Sequence, residues 1–249
     1  MEFARFRECL AADYGRMRDV VAGGDLKRPV PSCPDWDAAE LVRHTAAVYL
    51  HKTIGMREGG EPDSWPPPGI DDEEPVALLD RAYSELNAEF DAREPGEKTG
   101  TWYAPDQTVG FWIRRMAQET VIHRVDAEQA MGEPAAPIPD DLAVDGIDEI
   151  LVCFLSFATT SYNTYFEDLK AADGRAVRVS ANGAGWNARI ATDGVHISRD
   201  GDAAATVSGA PADVLLWLWG RAGDDAVAWD GDSALIKQIR ALIANPALQ

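Results

Sequence analysis

The sequence is poor in the residues on which most metal and disulfide scaffolds depend: its 249 residues include three cysteines and four histidines. Cys9, Cys33 and Cys153 are odd in number, widely spaced and without a Cys-x-x-Cys pair, which argues against a disulfide framework and a thiolate zinc site. They read as small buried hydrophobes. Positive charge is scarce too, with 23 lysines and arginines against 42 acidic residues and a formal net charge of −19. A chain of this charge repels a phosphate backbone, so nucleic acid is not an expected partner. No apolar run approaches the roughly 20 residues that a membrane span needs, and no membrane association is expected. The opening MEFARFRECLAADYGRMRD has charges every few residues and no apolar signal core, so a cytoplasmic location is expected. Internal repeats and low-complexity tracts are lacking as well.

What is present suits a globular protein, with 46% hydrophobic and 26% charged residues in a length that holds one large domain or two small ones. Phe3, Phe6, Leu10, Tyr14, Met17 and Val21 recur at steps of three or four and predict a first helix over residues 3–21. A second helix is predicted from Ala38, with Asp37 as N-cap, Glu40 as its capping-box partner and Trp36 stapled onto Leu41. The Pro- and Gly-rich GGEPDSWPPPGIDDEEP reads as a loop. Val76, Leu79, Tyr83, Leu86 and Phe90 mark a third helix, and Val109 to Met131, closed by Gly132, a fourth. Four helices joined by long loops predict a bundle.

Pro134 to Pro139 hold three prolines in six residues, and the boundary between two domains, 1–136 and 137–249, is placed there. Beyond it, LAVDGIDEILVCFLSFATTSYNTYFEDL reads as helix, after which the period changes to two. Val177 and Val179, then Trp186, Ala188 and Ile190, then Val195 and Ile197 predict strands separated by turns at Asn182–Gly183, Asp193–Gly194 and Asp200–Gly201. Further strands near 204–207 and 226–229 lead into the helices DVLLWLWGR and SALIKQIRAL. The expected fold class is therefore α+β in two domains, a four-helix bundle followed by a smaller α+β domain with an antiparallel meander.

The fourth helix carries the most informative constellation. Trp112, Met116, Glu119, His123, Ala127 and Ala130 follow one another at helical steps, which puts a carboxylate and an imidazole on a buried stripe. A carboxylate taken out of water needs a partner, and at i,i+4 spacing Glu119 and His123 reach one ion together. His44 shares a face of the second helix with Leu41, Val48 and His51 and can point into the same core. Two histidines and a carboxylate are three ligands for a divalent metal, leaving a coordination position open as catalytic zinc does. Spacing alone leaves open a structural Glu119–His123 pair with His44 as an unrelated core histidine.

CPDWDAAELVRH followed about 75 residues later by ETVIHRVDAEQAMG resembles the mycothiol-dependent maleylpyruvate isomerase family of DinB-like four-helix metalloproteins. In the second half DGIDEIL, WNARI, ATVSGAPADVLLWLWGR and VAWDGDSALI resemble that family's C-terminal α+β domain, so the resemblance covers most of the chain. It implies His44, Glu119 and His123 as zinc ligands, with nickel and ferrous iron also suited to the set, and mycothiol as thiol cosubstrate. It implies either cis-trans isomerisation of a maleylpyruvate-like acid or S-transfer to an electrophile. Mycothiol belongs to GC-rich actinobacteria, which suits a chain with 18 arginines to five lysines. Arg221, in WLWGR, resembles an arginine that the family's catalytic site draws from its C-terminal domain. It is suited to a substrate carboxylate or to the thiol, and equally to capping the end of its own helix. A non-catalytic module that binds a metal or a small molecule is the alternative.

Other polar residues carry less. Arg124 and Asp126 read as residues orienting metal ligands or as salt-bridge partners. Cys33 reads as a packing residue before it reads as a fourth ligand, and His51 as a surface or core histidine before a channel lining. His196 falls on the solvated face of its strand. Trp217 and Trp219 read as core.

Overall fold

The structure, a computed structural model, describes residues 1–245. The chain divides into two compact units, Met1–Ala136 and a second beginning at Pro137. The first contains α1 (Phe3–Ala22), the short strands β1 (Pro29–Val30) and β2 (Cys33–Asp37), α2 (Ala38–Glu58), α3 (Pro75–Asp91) and α4 (Val109–Met131). Around the bundle α1 packs on α4, α4 on α2, α2 on α3 and α3 back on α1. The ends of these helices are chemically marked. Asp37 accepts from the Glu40 amide at 2.9 Å while the Glu40 carboxylate accepts from the Asp37 amide at 2.8 Å, a complete capping box. Thr108 caps α4 through the Phe111 amide, and Gly132 ends it at φ 72°, a left-handed turn that a side chain resists.

Apolar side chains including Leu10, Met17, Leu41, Tyr49, Leu78, Leu79, Leu86 and Ile113 fill the bundle. The stripe expected on α4 is in fact a buried cylinder, because all of its residues except Arg114, Gln129 and Met131 are buried. Its polar groups therefore have to find partners inside the unit. The β1–β2 ribbon ahead of α2 was not foreseen. It pairs antiparallel and keeps Cys33 half-exposed, which corrects the expectation that all three cysteines are buried; Cys9 and Cys153 are. Trp36, placed to staple onto Leu41, instead lies against the His44 ring.

The second unit opens with one rod made of α5 (Asp140–Asp148), a π-helical segment Glu149–Ser156 and α6 (Phe157–Ser161). The rod ends eight residues short of the helix expected through Leu169, and two short 3-10 turns complete the stretch. Then follow β3 (Ala176–Ala181), β4 (Ala184–Ala191), β5 (Gly194–Ser198), β6 (Ala205–Gly209), α7 (Pro211–Leu218), β7 (Ala228–Gly231) and α8 (Ser233–Ile243). The sheet order is β5-β4-β3-β6-β7. The meander β3-β4-β5 turns at Asn182–Gly183, both left-handed at φ 46° and 80°, as the Asn-Gly pair predicts. One register departs from the expected antiparallel sheet, since β6 runs parallel to β3, Val177 opposite Ala205 and Val179 opposite Val207. Trp186 and Trp217 are core residues as expected, whereas Trp219 is only half-buried, edge-on to Phe154. Among the described residues no helix is long and apolar enough to cross a membrane.

Candidate metal centre

The capping box fixes where α2 starts and so where His44 points, two turns into the helix; the Thr108 cap does the same for Glu119 and His123 on α4. The bundle brings the three together, one donor atom from each lying within 4.8 Å of the others. Glu119 Oε1 is 3.1 Å from His123 Nε2 and 3.4 Å from His44 Nε2. Donor atoms of a tetrahedral site with bonds of roughly 2.0–2.1 Å stand about 3.3 Å apart, so these are edges that a divalent ion fits. The chemistry of the set agrees, two imidazoles and one carboxylate with a fourth direction left to a small ligand. His44 is the most open of the three, its side chain 27% exposed against 10% for the other two.

The surrounding residues hold these donors in place. His123 Nδ1 lies 2.9 Å from the Asp126 carboxylate, which points Nε2 of the same ring at Glu119. Asp126 is fully buried and accepts in turn from Ser32 Oγ at 2.5 Å, so the turn between β1 and β2 supports the ring from behind. The second oxygen of Glu119 accepts from the Arg115 guanidinium one turn earlier. Burial pushes the Glu119 carboxyl up, but Arg115 and His123 outweigh it and hold it well below the usual carboxylate range. For His123 burial favours the neutral ring, and Glu119 and Asp126 overcome it, pushing the imidazole up to about 9. A divalent ion held by Glu119 and His123 would take the place of that proton. Aromatic rings line the histidines, Trp36 at 4.6 Å from His44 and 6.3 Å from His123, and Trp65 at 5.8 Å from His44.

The remaining sequence candidates separate cleanly. Asp126 stands against His123, while Arg124 turns to the α1 side of its helix, pairing with Asp13 at 3.0 Å and Glu128 at 2.7 Å. His51 is buried and lies beside Lys52. His196 pairs with Asp193 on its strand. Arg221, in the second unit, follows the left-handed Gly220 and donates to the Trp219 carbonyl at 2.7 Å, at the C-terminal end of α7. Sequence reasoning missed Arg115 and Trp65. The i,i+4 charge pairing of Arg115 with Glu119 was a usable signal; Trp65, in a Pro-rich loop, offered none. We expect Asp126→Asn to lower metal affinity about 10- to 100-fold with the helical content kept, because a neutral amide orients the ring less well. Competition with a chelator measures this, and an unchanged affinity would remove the role given to Asp126.

Fold and site thus describe a helical bundle in which His44, Glu119 and His123 form a group that could hold a metal ion, with an α+β unit following in the chain. Residues 7–128 match the model of the mycothiol maleylpyruvate isomerase N-terminal domain, and residues 141–238 that of the C-terminal domain of the same proteins. The chain belongs to the mycothiol maleylpyruvate isomerase family. Among solved structures it is similar to a crystal structure of the mycothiol-dependent maleylpyruvate isomerase, with TM-score 0.65 and 15% identity over 93% of this chain and 95% of that one. A histidine-to-alanine mutant of that enzyme matches with TM-score 0.64 and 14% identity over the same shares. At these identities the likeness is one of fold. No curated protein matches the chain in sequence.

Proposed function

We propose that the chain is a divalent-metal enzyme that uses a low-molecular-weight thiol, mycothiol, on a small electrophilic acid, with His44, Glu119 and His123 as the metal ligands. The observation that carries this reading is the convergence of the three donors within 4.8 Å inside a bundle of this family. Bound there, zinc supplies the positive charge that keeps a coordinated thiol deprotonated near neutral pH. The chain's own residues do the rest. Asp126 holds the His123 ring, Arg115 neutralises the outer oxygen of Glu119, and the Trp36 and Trp65 rings lie against His44.

The reaction favoured by the family is isomerisation of a maleylpyruvate-like acid. A thiolate adds to the cis double bond conjugated with the carbonyl, the resulting single bond rotates, and the thiolate leaves with the trans double bond restored. The second reading, S-transfer, joins the thiolate to an electrophile and ends at the thioether. Stoichiometry separates them, since the isomerase returns mycothiol and the transferase consumes it. Elemental analysis of the untagged protein, followed by mycothiol-dependent assays on maleylpyruvate and a panel of electrophiles, tests the whole proposal. About one metal per chain and thiol-dependent turnover are expected, and the analysis identifies zinc, nickel or iron. A metal-free protein that cannot be reloaded would overturn it, as would a metalloprotein without thiol turnover, which would then be the non-catalytic module.

For Arg221 the family resemblance supports a role in binding the substrate carboxylate, and its bond to the Trp219 carbonyl supports capping. The two differ in outcome. Arg221→Ala is expected to keep its metal and lose turnover, the pattern of a substrate-orienting group; unchanged turnover would leave the cap alone.

A further inference from the structure

Glu119 is the one proposed ligand that has two equivalent donor atoms to give, and the structure divides them. Oε1 is the atom that meets the histidines, 3.1 Å from His123 Nε2 and 3.4 Å from His44 Nε2, whereas Oε2 accepts from the Arg115 guanidinium. A carboxylate left to itself offers a divalent ion either one oxygen or both. Two bound oxygens take two of the positions around a four-coordinate ion, and the position that a catalytic centre reserves for its substrate is then closed. The number of oxygens that Glu119 gives therefore decides whether these three residues make an open site or a full one.

Arg115 is placed to hold the second oxygen. It stands one turn before Glu119 on α4, at the i,i+4 spacing that brings an arginine and a carboxylate together on one helix face, and both side chains are only 10% exposed. At such burial a charge-assisted hydrogen bond is stronger than the same bond in water, so Oε2 is not readily released. His123 is limited to one donor in a comparable way, because Asp126 engages Nδ1 at 2.9 Å and leaves Nε2 to the centre. We propose that Arg115 is a positioning residue that confines Glu119 to one metal-binding oxygen and so keeps the fourth position open to a thiol. The proposal deepens the function given above and rests on its assignment of the ligands. The guanidinium has a second effect in the same direction. Its charge offsets that of Glu119, so the centre attracts an anionic sulfur more strongly than the same three ligands without it.

Cobalt(II) is the probe, because its visible bands are intense in four-coordinate sites and weaken when a fifth donor binds, and because a bound thiolate adds a charge-transfer band in the near ultraviolet. The cobalt-loaded wild type is expected to show the intense visible bands and, on titration with 2-mercaptoethanol, the thiolate band. Arg115→Met at equal cobalt content is expected to show weakened visible bands and to bind the thiol about 10- to 100-fold more weakly, the range that follows loss of a residue supporting a ligand. Arg115→Gln, closer to arginine in length and polarity, serves as a second neutral variant with the same expectation where the methionine protein does not fold. Loss of charge alone would lower thiol affinity and leave the visible bands in place, so the spectrum separates a change in donor number from a change in electrostatics. Five-coordinate bands in the wild type would overturn the proposal without any variant, and so would unchanged visible bands in the variants. Unchanged bands with one cobalt per chain would remove the role of Arg115 and leave the ligands standing, whereas a wild type that takes up no cobalt would remove the ligand assignment and this inference with it. The expected spectra in a protein without thiol turnover would keep the role of Arg115 and discard the enzyme reading.

Discussion

Removal of any one of His44, Glu119 and His123 is expected to abolish stoichiometric metal binding. Loss of a ligand should weaken the site by more than the roughly 100-fold that marks the loss of a supporting residue. His44→Ala is the cleanest of the three. Its ring is partly exposed and stands alone on α2, so the variant should keep its far-ultraviolet spectrum and unfolding midpoint while metal falls away under dialysis against a weak chelator. Glu119→Ala should lose metal too, but at a cost in stability, because it removes a buried carboxylate that pairs with the Arg115 guanidinium. Glu119→Gln keeps a hydrogen-bonding oxygen for Arg115 and separates the two effects. His123→Ala leaves Asp126 with Ser32 as a remaining donor and falls between the others. Metal near one equivalent in all three alanine variants would refute the assignment of the ligands.

The second large effect lies on the other side of α4 and concerns folding alone. Arg124 is completely buried and holds together Asp13 of α1, Glu128 one turn along α4 and the carbonyl of Ala136 where the first unit ends. Glu128 also accepts from Arg16 at 2.8 Å and from the Ala136 amide at 3.2 Å. Arg124→Ala leaves two carboxylates buried with one fewer cation, and breaking such a network costs about 3–5 kcal/mol. That is a large share of the roughly 5–15 kcal/mol that holds a domain together. Denaturant unfolding of the first unit should show the loss directly, and a deficit under about 1 kcal/mol would show that the network does not bear on stability. The deficit should also depend on pH. Burial already holds the Asp13 carboxyl above its ordinary value against the pull of Arg124, and without the guanidinium it rises further. As pH falls and Asp13 takes up a proton the stranded charge disappears, so the variant's deficit shrinks in acid and is fullest above neutrality.

Much of the architecture was legible because it rests on local chemistry. The capping box Asp37–Glu40, the left-handed glycine after Met131 and the Asn182–Gly183 turn each involve residues a few positions apart, and each forms as its sequence predicts. The Glu119–His123 pair belongs to the same group, since one helical turn sets their separation whatever packs around them. The departures have equally definite reasons. A period of two looks the same in parallel and antiparallel pairing, so the parallel β3–β6 register left no mark. The π-helical stretch Glu149–Ser156 is as apolar as an α-helix and differs only in which carbonyl each amide reaches. Residues 29–37 pair into a ribbon although they include three prolines, because the core offers a place for Val30 that no local pattern announces.

What the sequence determined by itself was most of the helices and strands and the one-turn spacing of Glu119 and His123, two of the three proposed ligands. The tertiary structure decided the rest of the site. His44 lies 75 residues before Glu119, and only the packing of α2 on α4 sets their Nε2 and Oε1 atoms 3.4 Å apart. The tertiary fold also brings Trp65 between His44 and His51, Ser32 behind Asp126, and Lys52 over Trp112. Helical periodicity states which face of a helix is buried; which atoms meet there depends on how two helices are rotated and shifted against each other, and that is fixed by the fit of the whole core.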